Sequence, residues 1–183
     1  MRFQPFATII MINYFNLPSE FESFIKKFDY VSLAHTKQKH DYVKLPTELV
    51  LNKYGNIWFK KKKFKLQKTF LLFRIPKNFI GHVHYDNVLE SHSKYGFNYV
   101  LDGQGIMQWI DNSVYQDIDY INNKTVKDCY ITDSWNGNIA LVRTNTLHRV
   151  VNIGNTDRYV VSFRTIDGSY PNSFEDACSL LSR

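Results

Sequence analysis

His84-Tyr85-Asp86 sets an imidazole and a carboxylate two residues apart, His148 supplies a second imidazole, and Arg158 follows ten residues later. Two imidazoles and one carboxylate suit a divalent first-row metal, and as a facial set they leave three coordination positions open for chemistry. An arginine beyond the second histidine could hold the far carboxylate of an acid that chelates the same metal. Alternate side chains of an extended strand share a face, so His82, His84 and Asp86 are expected to point together if 79–86 is a strand. His84 and Asp86 are then the expected pair, with His82 replacing His84 if the register slips. His148 opens another strand, and the site is complete only if folding lays the two strands side by side.

The elements that must do this are short. From about Ile57 the expected strands are 57–59, 64–75, 79–86, 96–101, 105–110, 126–131, 138–143, 148–153 and 158–165. Turn signals separate them, among them Asp102-Gly103, Asn136-Gly137 and Gly154-Asn155-Thr156-Asp157. Many short strands at close spacing argue for an antiparallel sandwich or barrel. Ser19-Glu20-Phe21-Glu22 reads as a capping box ahead of an apolar stripe of Phe21, Phe24, Ile25 and Phe28. A weaker helix is expected from Thr47 toward Tyr54, stopped by Gly55, and Ser173 caps a short helix with Phe174, Ala177, Cys178 and Leu181 on one face. The expected fold is mainly β with flanking helices.

With 183 residues, 44% hydrophobic, 14 Phe and 12 Tyr, the chain suits one globular domain and not disorder. No repeat, Gly-rich phosphate loop or Ser/His/Asp nucleophile arrangement is visible. Cys129 and Cys178 match no close-spaced metal pattern, so a reducing compartment is the simpler expectation. Met1 to Phe15 lacks a signal-peptide layout and no uncharged run reaches membrane-spanning length, which points to a soluble, cytoplasmic protein. His35, His40 and His92 sit in polar contexts that suit solvated side chains. Trp109 and Trp135 suit packing, and Asp117-Ile118-Asp119 suits a solvated loop.

Segments 79–86, 96–109 and 145–164 resemble the core of the iron(II)/2-oxoglutarate-dependent oxygenases, built on a double-stranded β-helix of the cupin, jelly-roll type. The matching residues are the His-x-Asp of His84 and Asp86, the downstream His148, and Arg158 on the next strand. Gly96-Phe97-Asn98-Tyr99-Val100 and Gly105-Ile106-Met107-Gln108-Trp109 are similar to strands of small, phage-like and phytanoyl-hydroxylase-like members. The resemblance covers about half the chain and leaves 1–70 unmatched. It implies one domain over 1–183: an N-terminal extension to 70, a β-helix core over 70–165 and a C-terminal helix over 173–182. It implies that His84, Asp86 and His148 bind Fe(II), and that Arg158 pairs with the C5 carboxylate of 2-oxoglutarate, with O2 as the other cosubstrate. Ser162 could add a hydroxyl to that carboxylate, and Asn98 or Tyr99 could line the pocket, depending on which face turns inward. Arg164 shares Arg158's alternation and is an alternative for the carboxylate. The substrate and the oligomeric state are not readable.

The net charge of +6 is uneven: residues 37–68 hold ten lysines against Asp41 and Glu48. Lys60, Lys61, Lys62 and Lys63 are flanked by Trp58, Phe59, Phe64 and Phe70. Lysines for phosphate and rings for base stacking would suit nucleic acid; the plainer reading is a solvated edge strand whose lysines discourage pairing. Two rivals to a 2-oxoglutarate oxygenase therefore stand: a cupin-type metalloenzyme without that cosubstrate, and a non-catalytic β-sandwich module binding nucleic acid.

Overall fold

The computed structural model describes residues 11–34, 42–84, 86, 94–104, 106–110, 129–131, 139–166 and 168–183. Among these residues nine strands make two antiparallel sheets: β1 (Ile12–Phe15), β2 (Tyr42–Pro46), β3 (Leu66–Ile75), β4 (Tyr95–Asp102), β5 (Ile106–Ile110), β6 (Cys129–Ile131), β7 (Ile139–Arg143), β8 (His148–Val151) and β9 (Arg158–Thr165). The larger sheet has the order β1-β7-β4-β9-β3-β2, the smaller β6-β5-β8. The chain crosses between sheets after β4, after β6, after β7 and after β8. That is the mainly-β core expected from the short apolar runs, in the jelly-roll form that the family resemblance implied.

The two faces of the larger sheet have different work. Phe97, Tyr99, Val161, Phe163, Phe70 and Leu72 pack outward with Phe21, Ile25, Phe59, Phe174 and Ala177 of the helices in one cluster. Phe59 stands edge-on to Phe97 at 5.2 Å, and Phe64 does the same at 4.8 Å. Such pairs add about 0.5–1.5 kcal/mol beyond the area they bury. The opposite face carries Ile75, Val100, Ala140, Val142 and Val160, which meet Met107 and Trp109 of the smaller sheet. This second interior is where the site lies.

The helices are α1 (Ser19–Ile25), α2 (Tyr30–Ala34), α3 (Lys53–Lys61) and α4 (Phe174–Leu181), with a 3-10 turn at Thr47–Leu49. Ser173 caps α4 as expected, its hydroxyl accepting from the Asp176 amide at 3.1 Å. Three expectations fail. The capping box is absent, because Pro18 holds the cap position of α1 and Ser19 Oγ donates to Glu20 instead. Residues 57–59 are helical: Asn52 caps α3 by accepting from the Gly55 amide at 3.0 Å. Gly55 sits inside that helix because any Cβ there would lie 2.6 Å from Leu51 and 2.9 Å from Phe21. Among the described residues no helix is long and apolar enough to cross a membrane.

Candidate metal centre

Segment 79–84 lies along β8 as an irregular fourth chain of the smaller sheet. The Asn152 amide donates to Phe79 O at 2.8 Å and the Gly81 amide to Val150 O at 2.8 Å. Gly81 permits this approach, since a Cβ would sit 2.9 Å from the Val150 carbonyl. Ile80 pairs with Val151, yet His84 pairs with His148, so the register slips by one residue in between. That slip is a bulge, and it re-aims side chains. Without it Val83 would face His148, and with it His84 does. The expected shared face of His82, His84 and Asp86 is therefore corrected: His82 stays outside the group that His84 and Asp86 form with His148.

His84 and His148 exchange backbone hydrogen bonds at 2.9 and 3.0 Å, and their ring centroids are 4.7 Å apart. Each ring places Nδ1 at 2.8 Å from the carbonyl two residues back, that of His82 for His84 and that of Thr146 for His148. A carbonyl only accepts, so Nδ1 carries the proton and Nε2 presents its lone pair, the form a metal ligand needs. The two Nε2 atoms converge on Asp86 Oδ1, at 3.2 Å from His84 and 3.4 Å from His148. The Asp86 amide is held by Thr144 O at 3.3 Å. One ligand atom from each of the three residues lies within 4.8 Å of the others. Two neutral nitrogens and one carboxylate oxygen at this spacing fit a divalent cation.

Asp86 Oδ2 takes the remaining role. It accepts from Arg164 Nη2 at 2.6 Å. Burial alone would raise the Asp86 carboxyl, but the Arg164 charge, and the His148 and His84 rings that donate to it when protonated, outweigh burial and hold the group well below the usual carboxylate range. The same carboxylate raises the His84 imidazole, against burial, which lowers it.

Arg158, Ser162 and Arg164 share the interior face of β9. Ser162 stands opposite Asn98 across β4–β9, and Arg158 opposite Ile75 of β3. Asn98 thus turns inward. Tyr99 does not: it lies in the outer cluster with its hydroxyl 3.4 Å from Glu22, which removes it from the pocket wall. Arg158 starts β9 six residues from Arg164, about 20 Å along the strand at strand spacing, so it occupies the far end of the interior. It is 1% exposed, and burial lowers its guanidinium to about 10, an effect the nearby Tyr14 partly opposes. Gly103, at φ 86, lies so close that a Cβ would be 2.6 Å from Arg158 Cα. Arg74 Nε and the Lys77 amide hold Asp157 from the other side, at 2.7 and 3.1 Å. Asn98 Oδ1, Ser162 Oγ and Arg164 Nη1 are buried without a hydrogen-bond partner among the described residues. Buried polar atoms normally find partners, so these three suit a bound ligand.

The signal that sequence reasoning underused was the same-face alternation of Arg164. It stands beside the metal-binding group and not beside Arg158. The basic segment also changes meaning. Phe59, Phe64 and Phe70 are buried in the outer cluster, and Trp58 stacks on Phe15 at 5.4 Å, so these rings are not displayed for bases. Lys62 Nζ donates to the last carbonyls of α4, Leu180 O at 3.4 Å and Leu181 O at 3.3 Å. Asn136-Gly137, Trp135, Asp117, Asp119, His35, His40 and His92 lie outside the described residues. Cys178 is a free thiol.

The fold and this site define a class: a cupin-type jelly roll with a His-His-Asp group able to hold a metal. Comparison with known proteins agrees on the fold. AviO1 from Streptomyces viridochromogenes superposes with a TM-score of 0.54 at 11% identity, over 89% of this chain and 93% of that one. Oxalate decarboxylase from Bacillus subtilis gives 0.41 at 10% identity over 71% of this chain and 27% of that one. Vicilin from Corylus avellana gives 0.40 at 10% identity, over 75% and 32%. The likeness to AviO1 speaks to fold alone, and the two partial ones add nothing about chemistry. No protein-family model matches the chain, and no curated protein matches it in sequence.

Proposed function

We propose that this protein is an Fe(II)- and 2-oxoglutarate-dependent oxygenase that hydroxylates a C–H bond of its substrate. The observation that carries the reading is the pairing of two features on one interior. His84, Asp86 and His148 offer two fixed Nε2 lone pairs and one carboxylate oxygen. Arg158, buried at the far end of the same face, is a guanidinium of the kind that binds carboxylates in bidentate fashion. Iron with the keto acid would supply the O2 activation that these side chains cannot.

The residues have separable tasks. The carbonyls of His82 and Thr146 keep both imidazoles in the ligand tautomer. Arg164 occupies Asp86 Oδ2 and leaves Oδ1 for the metal. Arg158 would receive the C5 carboxylate, and Asn98 and Ser162 would contribute polar contacts along the way. Trp109 and Val142, both fully buried, keep the interior dry. A metalloenzyme of the same fold without the keto acid would share the three ligands; the buried Arg158 guanidinium favours the keto acid because it would pair with the far carboxylate.

The test is an anaerobic titration of metal-free protein with Fe(II) and then 2-oxoglutarate, watched for the visible charge-transfer band. The band is expected in the native chain, absent in His148→Ala, and weakened at least about tenfold in apparent cosubstrate affinity in Arg158→Ala, since a charged hydrogen bond is worth about 1.5–3 kcal/mol. Iron binding without a band would favour the cupin metalloenzyme lacking the cosubstrate. An Arg158→Ala protein with unchanged affinity would overturn the role given to that arginine.

A further inference from the structure

The charges near the metal group do not balance once it is loaded. Asp86 is shared: Oδ1 faces the two imidazoles, while Oδ2 neutralises Arg164. Under the function proposed above, on which this step rests, the Asp86 charge and the near carboxylate of the keto acid together match a divalent ion. The far carboxylate matches Arg158. Arg164 is then left with a positive charge that no other described side chain compensates, in a side chain only 15% exposed. An uncompensated buried charge is expensive, and sites that keep one generally receive a counter-charge.

The hydrogen-bond pattern leaves an unused donor for it. Arg164 commits Nη2 to Asp86, while Nη1 is buried without a hydrogen-bond partner. Gly96, beside it on β4, has no side chain to intrude; a Cβ there would lie 2.6 Å from Nη1. Ser162 Oγ, next on the same face, and Asn98 Oδ1 opposite it are also unpartnered. A donor arm of fixed charge beside two neutral polar atoms suits the end group of a small acid.

We propose that the substrate carries an anionic group, a carboxylate, and that Arg164 holds it beside the metal. The arginine is thereby both a positioning residue for Asp86 and the residue that selects acids over neutral analogues. Its planar fork permits both tasks at once, one arm for each carboxylate.

The test uses the full chain loaded anaerobically with Fe(II) and 2-oxoglutarate, with the visible band recorded first. Acetate and acetamide serve as probes of equal shape and different charge. Relaxation of each probe's methyl protons by the paramagnetic iron is measured against probe concentration. Acetate is expected to bind about tenfold more tightly than acetamide, as a charge-assisted hydrogen bond implies, with the band retained. Arg164→Gln, which removes the charge, should abolish the difference in whatever fraction of the protein the band shows to be loaded. Gly96→Ala, whose Cβ displaces the Nη1 arm, should do the same if the glutamine variant fails to load. Equal affinity, no relaxation of either probe, a preference that survives both variants, or bleaching of the band by acetate would each overturn the inference and leave the proposed function standing. Absence of the band in the native chain would remove that function, and this inference with it.

Discussion

At the scale of single residues, the site is a competition among charges for one carboxylate. Asp86 raises the His84 imidazole above its ordinary value near 6.5, and a proton on that ring occupies the Nε2 lone pair a metal needs. Two opposite pH trends follow. In metal-free protein the His84–Asp86 attraction is fully present below about pH 6.5 and is lost as pH rises through the elevated value. Asp86, depressed in the folded state, contributes stability above its unfolded pKa near 3.9 that is lost as pH falls toward the depressed one. Metal affinity runs against the first trend, falling about tenfold per pH unit once His84 is protonated. Zinc or cobalt titrations at pH 6 and pH 8 should show the weaker binding at pH 6, and a flat profile would count against His84 as a ligand. The three donors were legible in the sequence because their types are scarce and their order is informative. The inward turn of Asn98, and not Tyr99, was not, since alternation states that neighbours diverge but not which one faces in.

At the scale of elements, strand positions from β3 to β9 were readable because short apolar runs between turn residues have few other uses. The helix α3 was not, because Trp58, Phe59 and the following lysines look like an edge strand until Asn52 is recognised as its cap and Gly55 as a packing contact with Phe21. Nor was the bulge between Gly81 and His84 foreseeable, since it arises from pairing with β8 and not from local composition. What keeps β8 and β9 in place is Asn152, 1% exposed. Its Nδ2 donates to Ile75 O, Pro76 O and Thr156 O at 3.0, 3.1 and 2.9 Å, and its Oδ1 accepts from the Gly154 amide at 2.9 Å. Asn152→Ala leaves several buried backbone groups unpaired at about 1–3 kcal/mol each. A loss of about 3 kcal/mol in urea unfolding is expected, and a loss under 1 kcal/mol would show that water satisfies these groups unaided.

At the scale of the whole molecule, the metal group joins parts of the chain that local structure leaves loosely tied. His84 comes from a segment held to β8 by isolated bridges, Asp86 from just beyond it, and His148 from the start of β8, sixty-four residues after His84. The helix-covered face owes nothing to that junction, since its aromatic cluster packs on the opposite side of the sheet. The lysine segment belongs to that outer layer too: Lys62 ties α3 to the end of α4, and the rings beside it are buried. A metal that binds only the folded chain stabilises it by RT ln(1 + [L]/Kd), about 2.7 kcal/mol at a hundredfold excess over Kd. For a domain of this size that is a rise in melting temperature on the order of 5–10 °C. The rise should appear with Fe(II) or cobalt, reverse with a chelator, and vanish in His148→Ala, whose metal-free melting point should stay within a few degrees of native because the ring's partners are the local Thr146 carbonyl and Asp86, which keeps Arg164. A metal-dependent rise of equal size in His148→Ala would mean that the ion binds elsewhere, and the two imidazoles would then be a packing pair in the wall of the barrel.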